Sequence, residues 1–175
     1  ADGKCMLLLG ITGREALVKA ARREALGIAA NHGGVHVGRT FGHQWHKTRF
    51  RTPYLRNTLW ELGYAIDTLE TATDWQAVPS LVRAIETALH QGLQDVGERV
   101  HVFTHLSHLY PYGSSLYTTY VFRIAADPEE TLRRWRVLKA AASKAIVARG
   151  ATISHQHGVG HDHTPFIEAE KGQLG

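Results

Sequence analysis

Four histidines fall within nine residues in the stretch Ser154-His155-Gln156-His157-Gly158-Val159-Gly160-His161-Asp162-His163. Imidazole donates, accepts and titrates near neutral pH, so such a tract can move protons, hydrogen-bond a substrate or ligate a metal. Gly158 and Gly160, at alternate positions, let the backbone turn tightly and approach a ligand closely. The HxH…HxH spacing has neither an HExxH helix nor a CxxC partner, and no acidic ligand is placed beside it by the sequence. The tract alone therefore does not specify a metal.

Two more segments carry reactive side chains. Thr104-His105-Leu106-Ser107-His108-Leu109-Tyr110 and Ser115-Leu116-Tyr117-Thr118-Thr119-Tyr120 have strand composition. In regular strands His105, Ser107 and Leu109 share one face, Leu106 and His108 the other, and Tyr117 shares a face with Thr119. A tyrosine hydroxyl in a pocket can pass a proton or hydrogen-bond an oxyanion. In Arg51-Thr52-Pro53-Tyr54-Leu55-Arg56, Pro53 suits the first position of a helix running to about Leu62. Arg56 then lies about one turn in, where its planar fork can clamp a phosphate or carboxylate bidentately.

The elements that must hold these residues follow from periodicity and punctuation. Lys4–Gly10 is a short apolar run that predicts a buried strand, with Cys5 as a small buried hydrophobe. Thr12 and Glu15 predict a capping box for a helix ending at Gly33-Gly34, and Val35–Val37 a short strand. Ala65–Thr71 predicts a strand, and Thr73 with Gln76 caps a helix from Asp74 to about Leu93. Val100–Tyr110 and Ser115–Ile124 form a hairpin around Pro111-Tyr112-Gly113. Asp127-Pro128-Glu129-Glu130 starts a helix that continues to Arg149, before Gly150, and Ala151–Ser154 is a last short strand. The order is β-α-(β)-α-β-α-β-β-α-β, an α+β fold with helices packed on one face of a mainly antiparallel sheet.

Composition bounds the function. The chain has 175 residues, a length that suits one domain, with 43% hydrophobic and 21% charged residues. A single cysteine excludes a disulfide framework and points to a reducing, cytoplasmic setting. No apolar run reaches the ~20 residues of a membrane span, and no signal peptide is visible. The net charge of +4 is spread along the chain without an aromatic-interleaved basic face, so nucleic acid is not an expected partner. Of the twelve histidines, eight lie in His32–His46 and His155–His163. There is no GxGxxG or P-loop pattern, so a complete dinucleotide-binding fold is not encoded. Ala1 in place of Met, with an apolar run directly after it, leads us to expect more chain upstream.

Ser154-His155-Gln156-His157-Gly158-Val159-Gly160 resembles the S-H-H-H-G-V-G signature of alkyl-dihydroxyacetone-phosphate synthase and its bacterial FAD-linked oxidase relatives, in the vanillyl-alcohol oxidase superfamily. In the same order, Pro53-Tyr54-Leu55-Arg56-Asn57 resembles that family's Y-I-R-D helix and Asp67–Trp75 its E-T-x-x-x-W segment. Ser107–Phe122 resembles its paired strands. The resemblance runs from about Gly13 to Gly160, and four motifs in the same order make it specific.

The resemblance implies a ferredoxin-like C-terminal substrate (cap) domain over residues 1–175, paired with an N-terminal FAD-binding domain absent from this chain. It implies FAD as cofactor, bound mainly by that other domain, a small anionic substrate, and a homodimer. By position, Arg56 helps hold the anionic group of the substrate, Tyr117 matches the active-site tyrosine, a proton-transfer or phosphate-side residue, and His155 and His157 match the outer members of a histidine trio beside flavin and substrate. Gln156 stands for the middle histidine and His105 for an arginine, both bordering the substrate. His155, Gln156, His157 and Gly158 border the cofactor. The synthase exchanges an acyl group for an alkyl ether oxygen without net oxidation. A related D-lactate and D-2-hydroxyglutarate dehydrogenase branch carries G-H-x-G-D-G-N-x-H in the hairpin, with metal-binding histidines. Here His105 matches the first of these, Tyr117 replaces the second and Gly-Asp-Gly-Asn is missing, so the resemblance assigns no metal. The alternatives are an FAD-linked 2-hydroxy-acid oxidoreductase and, from a different class, a non-catalytic His-rich metal-binding or interaction module.

Overall fold

A computed structural model describes Gly3 and Cys5–Gln173, except the side chain of Thr52. Its contacts divide the chain into two compact units, Ala1–Leu55 and Arg56–Gly175. The first contains α1 (Glu15–Asn31), α2 (Thr40–Thr48) and a 3-10 segment, Arg49–Tyr54. No described residue of this unit is buried.

The strand expected at Lys4–Gly10 does not form among the described residues: Cys5–Gly10 is irregular and exposed, with Leu7 at 72% exposure. Lys4 itself lies outside the described residues. An apolar run becomes a strand only where a neighbouring strand satisfies its backbone, and all strands described belong to the second unit. Cys5 is consequently exposed rather than a packed hydrophobe. Val35–Val37 is likewise irregular. The box at Thr12 is not made either, since Arg14 is the N-cap and no side chain caps α1.

The second unit is α+β and ferredoxin-like. Its elements are α3 (Leu55–Glu61, entered at the unit boundary), β1 (Tyr64–Asp74), α4 (Val78–Gln91), β2 (His101–Leu109), β3 (Gly113–Arg123), α5 (Pro128–Val147) and α6 (Gly160–Lys171). The strands form an antiparallel sheet in the order β1-β3-β2. Alternation along β1 sends Ala65, Asp67, Leu69 and Thr71 to the helix-covered face, and Ile66, Thr68 and Glu70 to the other. Leu81, Ile85 and Leu89 of α4, at helical spacing, and Leu138, Ala142 and Ile146 of α5 are buried against the first set and against Leu116, Tyr120 and Phe122 of β3.

Local chemistry explains the boundaries. Asp127 caps α5, its carboxylate accepting the Glu129 N–H at 3.0 Å, with Pro128 as the first helical residue. Gly150, at φ +65°, ends the turn after α5. Gly113 passes so near β1 that a Cβ there would overlap the Thr73 carbonyl, so the hairpin needs glycine at this point. β1 runs to Asp74, past the expected start of the next helix. That helix begins at Val78 with no side-chain cap, because Ser114 and Gly113 continue the ladder opposite Thr73 and Asp74.

Ala151–Ser154 is irregular rather than a regular strand, yet it takes the free edge of β1. The Thr152 N–H donates to Ala72 O at 3.2 Å, the His155 N–H to Glu70 O at 3.0 Å, and Thr71 Oγ1 to Thr152 O at 2.5 Å. Ile153 is buried there, and its N–H donates to the Glu170 carboxylate of α6. The chain is thereby delivered across β1 at Glu70, with His155 as the next residue into the loop.

Candidate active site

Strand register assembles the centre of the site. Glu70 of β1 lies opposite Tyr117 of β3, and Tyr117 opposite His105 of β2. All three point away from the helices. The His105 and Tyr117 rings stack with centroids 5.4 Å apart. A bulge between Leu106 and Leu109 breaks the β2 ladder. It overturns the simple alternation: His108, expected on the opposite face from His105, reaches Ser115 and Glu70 on the same side. The His108 N–H donates to Ser115 Oγ at 2.9 Å, and its ring Nδ1 is 3.3 Å from Glu70 Oε1.

The loop after Ile153 closes over Glu70. His155 Nδ1 is 3.4 Å from Glu70 Oε1, and its Nε2 is 3.1 Å from the Tyr110 hydroxyl. His157 Nε2 is 3.1 Å from Glu70 Oε2, and its ring meets Tyr117 edge-on at 5.8 Å. The Glu70 side chain is 2% exposed. Burial alone would raise its carboxyl, but hydrogen bonds from Ser115 and His108 and the charges of His157 and His155 outweigh that and hold it below the ordinary carboxylate value.

The loop keeps its shape by local means. Ser154 Oγ donates to Gly158 O at 2.6 Å, and Gly158 sits at φ +70°. Gln156 is the single positive-φ residue other than glycine among the described residues, at φ +62°. A side chain there costs about 1–2 kcal/mol, a strain that commonly marks a functional turn.

Tyr117, His105, His155 and His157 are thus brought together. Gln156 and Gly158 border the group as exposed residues, and Arg56 is exposed on α3 without a hydrogen bond or ion pair to the cluster among the described residues. The second half of the tract separates from the first: His161, Asp162 and His163 form the opening turn of α6. Burial, followed by Lys139, pushes His163 below its ordinary value.

Glu70, His108, Tyr110 and Ser115 are the residues that sequence reasoning missed. Glu70 had two signals: it is the acid of the E-T-x-x-x-W segment, and an acidic side chain in mid-strand between Leu69 and Thr71 needs a partner.

A carboxylate joined to imidazoles can fix their tautomers and stabilise a positive ring, and Tyr117 beside His157 extends this to a phenol. The stacked His105–Tyr117 pair and the half-exposed Phe103 on the same face suit one side of a flat ring system with polar atoms at its rim. A flavin has that shape, and when bound it supplies an acceptor and donor of electrons.

The chain belongs to the family described as FAD linked oxidases, C-terminal domain, which matches residues 1–175. Among curated relatives, it is 24% identical over 170 residues to the alkyldihydroxyacetonephosphate synthase of Trypanosoma brucei brucei, covering 97% of this chain and 27% of that protein. It is also 24% identical over 163 residues to the Dictyostelium discoideum enzyme of the same name, covering 93% and 26% respectively. A solved alkyldihydroxyacetonephosphate synthase superposes with a TM-score of 0.63 at 20% identity, over 79% of this chain and 24% of that one. The chain spans about a quarter of the length of these relatives. Among the described residues no helix is long and apolar enough to cross a membrane.

Proposed function

We propose that this chain is the substrate-side half of an FAD-dependent enzyme that acts on a small anionic substrate by an alkyldihydroxyacetonephosphate-synthase-like reaction. The observation that carries the reading is Tyr117 held between His105 and His157, with His157 Nε2 3.1 Å from Oε2 of the buried Glu70. In this reading the Tyr117 hydroxyl gives or takes a proton at the substrate, and His157 and His155 exchange protons around it. Arg56 holds the anionic group, while His105 and Gln156 border the substrate. The backbone from His155 to Gly158 lies against the flavin. Most of the FAD site belongs to an N-terminal domain, and the exposed apolar residues Met6–Leu9 and Trp45 supply surface for it. The fragment by itself is inactive, and the whole enzyme is a homodimer.

The test uses the full-length protein, purified with its flavin. It should be yellow and elute as a dimer on size exclusion. It should exchange the acyl group of acyl-dihydroxyacetone phosphate for a fatty alcohol without reducing a dye. Tyr117→Phe and Arg56→Ala should keep the flavin spectrum and lose about 100- to 10,000-fold in turnover, the range of a lost proton-transfer group. A colourless full-length protein, or wild-type turnover in Tyr117→Phe, overturns the proposal. Dye reduction driven by 2-hydroxy acids would replace the exchange reaction with net oxidation at the same site.

A further inference from the structure

The proton-transfer reading uses His157 and Tyr117 directly but leaves unexplained why Glu70 is ringed by imidazoles. Its carboxylate is almost fully buried, and every ion pair it makes among the described residues is to a histidine, none to lysine or arginine. A buried carboxylate needs a compensating cation. Two can serve: a protonated imidazole or a metal ion.

The geometry favours the ion. Glu70, His108 and His155 each offer one ligand atom, and the three atoms lie within 4.8 Å of one another. Two of the three edges are 3.3 and 3.4 Å. A tetrahedral zinc with bonds of ~2.0–2.1 Å to nitrogen and oxygen has ligand–ligand edges of ~3.3–3.4 Å. His155 Nδ1 is buried and makes no hydrogen bond, although Glu70 Oε1 lies 3.4 Å away. The opposite nitrogen of the same ring is engaged by the Tyr110 hydroxyl at 3.1 Å. That is how the outer nitrogen of a metal-bound histidine is usually held, fixing ring orientation and tautomer. Ser115 supports the other two ligands, with its oxygen accepting from the His108 N–H and its hydroxyl bonded to Glu70.

We propose that Glu70, His108 and His155 form a binding site for a divalent transition-metal ion of the zinc class. Two imidazoles and one carboxylate are borderline ligands; calcium and magnesium prefer all-oxygen sites, and copper(I) prefers sulfur. Three protein ligands leave a fourth position for water or a substrate oxygen. The ligands come from β1, β2 and the cover loop. The site therefore differs both from the HxH…HxH tract and from the hairpin position His105, which stacks on Tyr117 and is not a ligand here. With His155 Nδ1 on the metal, proton movement at the substrate falls to Tyr117 and to His157, which keeps the free oxygen Oε2 of Glu70.

The experiment is metal binding to the full-length flavoprotein after dialysis against a chelator. Wild type should take up one zinc per chain in competition with a chromophoric chelator, and cobalt(II) should give the intense visible bands of a tetrahedral site. Glu70→Gln and His108→Ala should each weaken zinc binding about 100-fold or more, the scale of losing a ligand rather than its support. His105→Ala and His161→Ala should leave it unchanged. Absence of stoichiometric zinc and of the cobalt bands overturns the proposal and leaves protonated histidine as the counter-charge of Glu70. So does zinc that survives Glu70→Gln but is lost in His161→Ala. The cobalt spectrum is read on wild type, so a ligand variant that fails to fold does not decide the matter. Flavin content and turnover are separate readouts, so the metal site and the flavin reading can fail independently.

Discussion

Replacing Asp67 with alanine should cost the folded protein about 3 kcal/mol, worked from the donors it would strand. Asp67 Oδ2 accepts from the Tyr120 hydroxyl at 2.9 Å, Trp135 Nε1 at 2.7 Å and Lys139 Nζ at 3.1 Å. Tyr120 is fully buried, so its orphaned hydroxyl carries about 2 kcal/mol. Trp135 is half-buried and can find water, which discounts its share to about 1 kcal/mol. Lys139 keeps its bond to Thr68 O at 2.9 Å and adds little. At roughly 3–5 °C per kcal/mol for a unit of this size, the melting temperature should fall by about 10–15 °C. Tyr120→Phe alone should cost only about 1 kcal/mol, because Asp67 retains two donors. Removing both partners should cost about 1–2 kcal/mol less than the sum of the single losses.

The same residue fixes a pH signature. Burial pushes the Asp67 carboxyl up, but Lys139, the Trp135 N–H, the Thr68 backbone and the Tyr120 hydroxyl together hold it below its ordinary 3.8. A depressed folded value means that the stabilisation is present in full above 3.8 and is lost as pH falls through the lower folded value. The gap between wild type and Asp67→Ala should therefore be constant from about pH 6 to 8 and narrow in acid. Urea melts across that range measure it. A gap under about 0.5 kcal/mol at neutral pH, or one that widens in acid, would refute the reasoning.

Gly113→Ala should destabilise by about 1–3 kcal/mol, because the new methyl overlaps the Thr73 carbonyl and the hairpin end must move; hydrogen exchange at Asp74 and Trp75 should rise with it. Gln156→Gly should leave stability unchanged or raise it by up to about 1 kcal/mol by removing a side chain from the left-handed region, whereas Gln156→Val should lower it by at least that much. Thermal melts of the pair separate backbone strain from any side-chain role. Asp127→Ala should cost about 1 kcal/mol through loss of the α5 cap, and Asp127→Ser should recover most of it in the same melts.

What could be read from the sequence is what local rules control. Asp127-Pro128 and Gly150 mark α5 because capping, a proline-compatible first turn and a left-handed exit each act within a few residues. The Pro111–Gly113 turn and the alternation beside it set the pairing that puts Tyr117 next to His105. Other features depend on partners far away in the chain. Lys4–Gly10 has the composition of a buried strand, and composition cannot say whether a neighbouring strand exists to complete it. Nothing near Glu70 in sequence announces that the loop from Ser154 will close over it, since that contact depends on Thr152 and His155 bonding to the edge of β1. His108 was assigned to the wrong face because strict alternation assumes an unbroken ladder, and one bulge reverses it.

These exceptions converge on one place. The bulge in β2 turns His108 toward Glu70, and the left-handed Gln156 lies between the two loop histidines that meet the same carboxylate. Each departs from the rule its own segment would follow, and each has a local cost: lost ladder bonds in one case, backbone strain in the other. A sheet and cover loop selected only for stability would have no use for either, nor for a carboxylate buried among imidazoles. Their coincidence around Glu70 is the physical argument for proposing this cluster, rather than the more conspicuous histidine tract as a whole, as the site. His161 and His163 carry the same side chain as His155 and His157 but sit in the first turn of α6. In the proposed reading the reacting group is Glu70 with His108, His155, His157 and Tyr117.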